Sequence, residues 1–324
     1  MTLSVRSYQP EDAALWDAFC KDSLQATFLH TRRFLSYHGE RFVDRSLILE
    51  MDGKLAGLFP AAVNPLDATH VVSHPGITYG GILHQGRLRG EQMVNALNVI
   101  QLHYASLGLR KLSYKVVPSI YHKVPAQDDS YGLFRLGALR TRCDLSSAID
   151  LSQPVSSNER RSRGLKKAIK AGVTVTEDSR HLPALWDVLI DNLHRRHGVS
   201  PVHNIREINL LKDYFPENIQ CICGVIDNRV VAGILLFVTA TTYHAQYIAS
   251  SEAGYEISAL DAVFNHAIAS AQMNGKRWFD FGISTESMGL ILNEGLYRFK
   301  SEFGSGGVVQ EFFELDLLRF YRAA

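Results

Sequence analysis

The chain has 324 residues, 46% of them hydrophobic and 21% charged, and its formal net charge is +1 at pH 7. This composition is that of a globular protein with room for two domains, and the near-neutral charge excludes a general electrostatic attraction to DNA or to a membrane. Four cysteines without metal-ligand spacing are expected to be reduced core residues, so we expect no metal site and a cytoplasmic location. We expect no secretory leader before Val5, and the longest apolar run, residues 230–238, is too short to span a bilayer.

The hydrophobic pattern predicts a mixed α/β unit in the first half of the chain. The predicted elements are a strand over residues 5–7, a helix after Pro10, a hairpin over residues 46–62, a helix over residues 90–107 and a strand over residues 111–116. The hairpin turns at Asp52-Gly53, a dipeptide that favours tight turns between antiparallel strands.

The second half repeats this order about 170 positions later. Ala14-Leu15-Trp16-Asp17 returns as Ala184-Leu185-Trp186-Asp187, and the turn at Asp52-Gly53 returns as Asp227-Asn228. The later elements are repeated as a helix over residues 255–275 and a strand over residues 276–284. These echoes indicate two copies of one unit, residues 1–153 and residues 154–324, each with a mixed central sheet flanked by helices.

Charged side chains lie among aromatic ones near the end of the second copy. Asp280 stands inside the strand segment Phe279-Asp280-Phe281, where an unpaired buried carboxylate is costly. The segment Tyr297-Arg298-Phe299-Lys300 follows in a short predicted helix. A change from antiparallel to parallel pairing opens a sheet, and such openings are favoured ligand sites. We therefore expect the chemistry of the protein in this stretch.

A basic helix is predicted over residues 158–171, where Arg160 and Arg161 are followed by four further cations. Guanidinium groups bind phosphates with good geometry, so Arg160 and Arg161 are candidate ligands for a diphosphate or for nucleic acid. A helix whose cations are merely solvated is the alternative.

Two further segments contain candidate binding residues. His74 and Tyr79 lie in a Gly-rich turn, which either brings backbone close to a ligand or is a plain tight turn. Arg196 and His197 lie in a predicted loop rich in imidazole and guanidinium groups. That loop suits a sugar hydroxyl or a carboxylate better than zinc, because its spacing lacks the usual metal-ligand pattern.

Two tyrosines lie on one predicted strand of the second copy. Tyr247 follows Tyr243 by four residues, and alternate side chains of a strand share a face. We therefore expect both rings on the same face, either as a core pair or as a surface for substrate.

Several motifs together resemble those of a known family. They are Phe28-Leu29-His30, Tyr79-Gly80-Gly81, Arg160-Arg161, Phe279-Asp280-Phe281-Gly282 and Gly295-Leu296-Tyr297-Arg298-Phe299-Lys300. With these motifs, the order of elements resembles the GNAT acyltransferase unit. The doubling resembles the Fem family of aminoacyl transferases, which build peptidoglycan cross-bridges and have relatives in surface-polysaccharide gene clusters. The resemblance implies two tandem GNAT-like units and amide-bond formation.

The resemblance also implies roles for particular residues. Lys300 would lie near the acyl carbonyl and stabilise an oxyanion, the alternative being a surface lysine paired with a neighbouring glutamate. Asp280 would accept a proton or a substrate hydrogen bond, or else be the structural partner of a nearby arginine. Tyr297 and Phe299 would contact substrate, and the Gly-rich turn would line the acceptor pocket.

Two departures from the family leave the acyl donor open between an acyl-CoA and an aminoacyl-tRNA. The long helical-hairpin insertion of many tRNA-dependent Fem proteins is missing from the sequence. The Gly-rich turn that holds the CoA diphosphate in GNAT enzymes corresponds to residues 249–254, which contain one Gly and Glu252. A carboxylate at that place would repel a diphosphate.

The sequence therefore predicts a cytoplasmic N-acyltransferase that acts on an amino group of a cell-surface polysaccharide sugar precursor. The alternatives are an aminoacyl-tRNA-dependent peptidoglycan bridge transferase and a non-catalytic GNAT-like scaffold. The expected partners are a nucleotide-sugar, a lipid-linked sugar or a cell-wall precursor, with tRNA as a possible partner, no DNA, and peripheral membrane contact as a possibility.

Overall fold

The structure is a computed structural model and describes residues 2–320, except for the side chains of Arg196, His197 and Phe320. The chain divides into two compact units. Unit 1 runs to Asp144 and also contains Glu286–Ile291 and the chain from Val309 onward. Unit 2 contains Leu145–Thr285 and Leu292–Val308.

The first part of the chain supplies most of unit 1. Its strands are β1 (Leu3–Ser7), β2 (Leu47–Met51), β3 (Lys54–Phe59), β4 (Ala62–Asn64), β5 (Asp67–Val72), β6 (Leu83–His84) and β7 (Lys111–Lys115). Its helices are α1 (Ala13–Asp22), α2 (Arg32–Leu35), α3 (Glu91–Ser106) and α4 (Asp128–Arg135). The strand β8 (Leu139–Asp150) begins in unit 1 and ends in unit 2.

The later part of the chain supplies most of unit 2. Its strands are β9 (Thr174–Thr176), β10 (Ile219–Ile226), β11 (Arg229–Val238), β12 (Thr242–Ser250) and β13 (Trp278–Ile283). Its helices are α5 (Glu159–Lys170), α6 (Leu182–His197), α7 (Ile205–Tyr214), α8 (Glu252–Glu256), α9 (Ala259–Met273) and α10 (Glu294–Ser301). The remaining strands are β14 (Thr285–Glu286), β15 (Ile291–Leu292) and β16 (Gly306–Asp316), of which β16 begins in unit 2 and ends in unit 1.

Two sheets form the framework of unit 1. One has the order β1-β2-β3-β6 and is antiparallel. In the other, β4 pairs with β5, β5 runs parallel to β7, and β7 is antiparallel to the end of β16. Helix α3 buries Leu97, Ile100 and Tyr104 completely in the core that these strands line. These positions lie on one helical face, which explains why α3 packs against the sheet.

A single mixed sheet forms the framework of unit 2. Its order is β9-β10-β11-β12-β13-β8, in which β12 and β13 are parallel and the other neighbours antiparallel. Helix α9 packs Val263, Phe264 and Ala267 against one face, where Ile234 is also buried. Helix α6 packs against the other face, where Leu185 lies over Gly233. The predicted mixed sheet flanked by helices is confirmed.

The strand registers show the same pairing in both units. In unit 1, β7 pairs Lys111 with Asp316, and in unit 2, β13 pairs Trp278 with Asp150. The partner strand in each unit is the last strand of the other sequence copy, since β16 belongs to the second copy and β8 to the first. The compact units thus divide the chain differently from the sequence copies, and the boundary at residue 153 stays a prediction about those copies.

The predicted helix over residues 255–275 is wrong in its first part. It is divided into α8 and α9 at Ser258, which has a left-handed φ of 61°. A non-glycine residue in this conformation ends a regular helix, because the backbone hydrogen-bond pattern cannot continue through it. The break places Ser258 at the start of α9, where it contributes to a pocket described below.

Candidate active site

The strands β12 and β13 separate in the middle of the sheet of unit 2. Their parallel pairing begins at Thr242 with Trp278 and ends at His244 with Asp280. Beyond this point β12 remains paired with β11, whereas the chain of β13 turns at Gly282, whose φ of 77° favours glycine. The sheet therefore opens at the change from antiparallel to parallel pairing, as the order of elements predicts.

Asp280 lies at the separation point and is completely buried. Its Oδ1 accepts hydrogen bonds from the hydroxyl of Ser146 at 2.5 Å and from the backbone N–H of Gly282 at 3.0 Å. Its Oδ2 accepts from Nδ1 of His244 at 2.7 Å. Both oxygens are thus engaged, and the buried carboxylate is stabilised by this set of donors. Asp280 therefore fixes the orientation of the side chains of Ser146 and His244 and the position of the Gly282 backbone.

His244 is a site residue that the sequence patterns do not identify. It lies in β12 beside Asp280, and its side chain is 11% exposed, whereas that of Asp280 is not exposed at all. A Cβ placed on Gly282 would lie 3.5 Å from Cε1 of His244, so the imidazole lies against the backbone of Gly282. A lone histidine in an apolar strand gives no sequence pattern of its own. His244 is recognised only from its contact with Asp280, which lies 36 residues later in the chain.

Lys300 reaches the same place from α10 and is 2% exposed. Its Nζ donates hydrogen bonds to the carbonyl oxygens of Gly282 at 2.8 Å and of Ile283 at 2.6 Å. Burial lowers the pKa of Lys300 from its ordinary 10.5 to about 8, while the carboxylate of Asp280 acts in the opposite direction. The alternative prediction, a surface lysine paired with a glutamate, is wrong, because the ammonium is buried among backbone carbonyls.

A pocket of about 390 Å³ lies in unit 2 between α5 and the start of α9. The residues that line this basic pocket are Arg160, Arg161, Arg163, Gly164, Lys167, Ser250, Gly254, Tyr255, Ser258, Leu260, Asp261 and Phe299. Arg160, Arg163 and Lys167 are spaced so that they lie along one face of α5. The start of α9 adds the positive end of a helix dipole, so the pocket suits phosphate groups.

The two arginines predicted as phosphate ligands lie in the basic pocket but differ in environment. Arg161 is 9% exposed, and its guanidinium forms ion pairs of 3.0 Å with both Asp261 and Glu302 while it lies over the ring of Phe299. The side chain of Arg160 is 68% exposed, with Glu302 at 3.4 Å. Burial raises the pKa of Asp261 to about 6, against the opposing effect of Arg161. Arg160 is the more accessible of the two to a ligand.

Phe299 and Tyr297 lie on α10, the helix that carries Lys300. Phe299 lines the basic pocket and packs against Phe264 and Phe303, with ring centroids 5.9 and 5.3 Å away. Tyr297 is half-buried. The helix therefore connects the basic pocket with the opening of the sheet, because Phe299 and Lys300 are consecutive residues.

The prediction that Tyr243 and Tyr247 share a strand face is wrong. A β-bulge places one extra residue, Gln246, between them in β12, which reverses the side on which later side chains lie. The hydroxyl of Tyr243 accepts a hydrogen bond from Asn274 at the end of α9, whereas Tyr247 packs edge-on against Trp186 of α6 at 5.1 Å. Tyr247 thus belongs to the face opposite to α9.

The candidates of the first copy lie in the interior of unit 1. His74 is 4% exposed with a φ of 59°, and its ring lies 5.4 Å from those of both His38 and Phe42. Burial lowers the pKa of His74 well below its ordinary value, so the imidazole is neutral at pH 7. Tyr79 is 3% exposed, and its hydroxyl donates to Thr27 at 3.4 Å. His74 also lines a pocket of about 500 Å³ in unit 1.

The predicted loop at Arg196 and His197 is the last turn of α6, and the side chains of both residues lie outside the described residues. In the part of the chain that the structure describes, no cluster of three or more His, Cys, Asp or Glu side chains is suited to hold a metal ion. Over the same residues, no helix combines the length and the apolar character needed to cross a membrane.

Comparison with known proteins identifies a domain in the later part of the chain and a fold shared along its length. Residues 157–301 match the model of the acetyltransferase (GNAT) domain, whereas no curated protein sequence matches significantly. The structure of FemX is 12% identical with a TM-score of 0.68, covering 99% of each chain. That of L-PGS from Bacillus licheniformis is 13% identical with a TM-score of 0.61, covering 94% of this chain and 91% of that one. A tandem GNAT protein from the clavulanic acid biosynthesis pathway is 9% identical with a TM-score of 0.52, covering 98% of each.

The doubled fold is that of tandem GNAT proteins, and the matching model identifies residues 157–301 as an acyltransferase domain of the GNAT type. The chain has the fold of FemX along its whole length, as the predicted resemblance to Fem-like tandem GNAT proteins implies. The predicted resemblance is thereby confirmed.

Proposed function

We propose that unit 2 transfers an acyl or aminoacyl group to an amino group of a cytoplasmic sugar precursor of a cell-surface polysaccharide. The observation that carries the proposal is the buried ammonium of Lys300 at the point where β12 and β13 separate. Amide formation passes through a tetrahedral oxyanion, and a cation held in a low-dielectric site stabilises that charge strongly. Lys300 is suited to this role.

The hydrogen bonds of Lys300 support an oriented role. An ammonium group has three donors, and two of them are directed at the carbonyls of Gly282 and Ile283. These bonds hold the ammonium in position and use two of its three donors, which leaves the third for an oxyanion. A pKa of about 8 leaves most Lys300 side chains charged at pH 7.

The basic pocket supports a donor that carries phosphate. Among the described residues that line this pocket, Glu252 is not included. The side chain of Glu252 is 80% exposed and forms an ion pair with Arg195 at 2.7 Å. The expected repulsion between Glu252 and a diphosphate is therefore weakened. Both an acyl-CoA and an aminoacyl-tRNA bring phosphates that Arg160, Arg163 and Lys167 can bind.

A second candidate function is aminoacyl transfer to a cell-wall precursor peptide, as in peptidoglycan bridge formation. The match to FemX along 99% of the chain favours it. A lipid-linked form of either acceptor would bring the protein to the membrane surface as a peripheral protein.

Mass spectrometry of reaction products tests these functions. The purified chain is incubated with acetyl-CoA or with charged tRNA as donor, and with UDP-glucosamine or UDP-N-acetylmuramoyl-pentapeptide as acceptor. We expect an acylated amine from one pairing, and a loss of at least about 10²-fold in kcat for Lys300→Met. The exposed Lys54 provides the control Lys54→Met, which should retain the parental rate. A parent protein that acylates neither acceptor with either donor supports the non-catalytic scaffold instead.

A further inference from the structure

We infer that His244 is the general base that takes the proton from the acceptor amine, held in orientation by Asp280. The inference rests on the proposed acyl transfer and assigns a catalytic residue to it. Three features of the structure support it: the burial of Asp280, the direction of the hydrogen bond between the two side chains, and the position of Lys300.

The burial of Asp280 excludes it from direct contact with a substrate in this conformation. The side chain is not exposed, and its two oxygens are engaged by Ser146, Gly282 and His244. The side chain of His244 is 11% exposed and lies where the two strands part. Of the two groups, His244 is therefore the one that a substrate can reach.

The hydrogen bond between the side chains determines which nitrogen is basic. An ionised carboxylate only accepts, so Nδ1 of His244 carries the hydrogen in the 2.7 Å contact with Asp280. In the neutral imidazole the lone pair is then on Nε2. Asp280 also stabilises the imidazolium that forms when Nε2 takes a proton, which is the function of the carboxylate in other base–carboxylate pairs.

Lys300 and His244 both approach Gly282. The carbonyl of Gly282 accepts from Nζ of Lys300 at 2.8 Å, and a Cβ on Gly282 would lie 3.5 Å from the ring of His244. Asp280 of β13 thus contacts the imidazole directly, and Lys300 of α10 contacts the carbonyl of the glycine that lies against it. A base and an oxyanion-stabilising cation that approach the same glycine suit a tetrahedral centre bound beside it.

The neutral amine attacks the acyl carbonyl, a nitrogen–carbon bond forms, and the carbonyl electron pair moves to the oxygen beside Lys300. Nε2 of His244 takes the proton from the attacking nitrogen. The oxyanion then collapses, the carbon–sulfur or carbon–oxygen bond to the donor breaks, and the imidazolium returns its proton to the thiolate or alkoxide that leaves.

His244→Asn is the sharpest test, because the amide nitrogen of Asn can replace Nδ1 as donor to Asp280 but offers no base at the position of Nε2. With the donor and acceptor that the parent uses, we expect kcat to fall by about 10²–10⁴-fold at pH 7 with an acceptor KM close to the parental value. Added imidazole should restore part of the rate, and the deficit should shrink as the pH rises and hydroxide takes the proton. His70→Asn, at a half-buried strand histidine of unit 1, is the matched control.

Thermal melting of each variant separates chemistry from folding, and His244→Gln serves as the second variant if the Asn form is unstable. A folded His244 variant with the parental rate and pH profile overturns the role of His244 and leaves the proposed function intact. A folded variant whose deficit responds neither to imidazole nor to pH also overturns it. A parent that transfers nothing from acetyl-CoA or charged tRNA overturns the proposed function, and the role of His244 with it.

Discussion

Replacement of Lys300 by Met tests the buried ammonium through the pH dependence of stability. Burial lowers the pKa of Lys300 to about 8 in the folded chain, against 10.5 for an ordinary lysine such as that of the unfolded chain. Between these pH values the unfolded state binds more protons than the folded state. The free energy of unfolding of the parent therefore rises with pH, and Lys300→Met lacks this rise because it has no proton to lose.

The magnitude follows from the width of that interval. From about 8 to 10.5 is about 2.5 pH units, and each unit corresponds to about 1.36 kcal/mol, so the parent gains about 3 kcal/mol relative to the variant. Below pH 8 both states hold the proton, so the difference between parent and variant is constant. That constant includes the carbonyls of Gly282 and Ile283, which lose a donor in the variant at a cost of about 1–3 kcal/mol each.

Urea unfolding of both proteins at pH 7, 8, 9 and 10 measures the difference, with Lys54→Met as a control that should follow the parent. Whereas the stability of the parent should rise with pH, its transfer rate should fall above pH 8, because the deprotonated side chain of Lys300 no longer stabilises an oxyanion. A difference in stability that stays flat from pH 7 to 10 would refute the reasoning, since it would mean that Lys300 is not desolvated.

Three further predictions concern the basic pocket, Gly282, and the pairing of each copy's last strand with a strand of the other copy. Arg163→Glu should raise the KM for the phosphate-bearing donor by about tenfold or more and leave the acceptor KM unchanged in steady-state kinetics, because it reverses a charge in the basic pocket. Gly282→Ala should destabilise the chain by about 1–2 kcal/mol in urea unfolding through its φ of 77°, whereas Gly306→Ala, with open space around it, should cost less. Residues 1–153 expressed alone should fail to give a cooperative melt, since β7 would lack its pairing with β16, and co-expression with residues 154–324 should restore it. If residues 1–153 folded independently, the pairing of β7 with β16 would not be needed for stability, and the prediction would be contradicted.

Much of the fold was predictable because its elements have strong hydrophobic periods. Both hairpins turn where expected, with positive φ at Asp52 and Gly53 and at Asp227 and Asn228. The exchange of the last strands was not predictable. The register between β7 and β16 is the same as that between β13 and β8. The hydrophobic pattern of β7 or β13 therefore does not indicate whether its partner is the last strand of its own copy or of the other copy.

The candidate site was predictable where a charge stands among aromatic residues. Asp280 and Lys300 have that pattern, and both lie at the opening of the sheet. The sheet face on which Tyr247 lies was not predictable. One inserted residue in β12 moves Tyr247 to the other face, and a β-bulge has no reliable sequence pattern. His244 was missed for a related reason, since its importance comes from a parallel pairing that forms only in the folded sheet.

The two units differ at the position that the chemistry needs. In equivalent registers, β13 pairs Asp280 with Ala148 and β7 pairs Ser113 with Glu314, so Ser113 is the counterpart of Asp280. A histidine of the adjacent parallel strand meets each of them, since His70 lies 2.7 Å from the hydroxyl of Ser113. A hydroxyl cannot stabilise an imidazolium as a carboxylate does, because hydrogen bonds to a charged acceptor are about twice as strong as those to a neutral one. This difference between equivalent positions supports the proposal that acyl transfer takes place in unit 2.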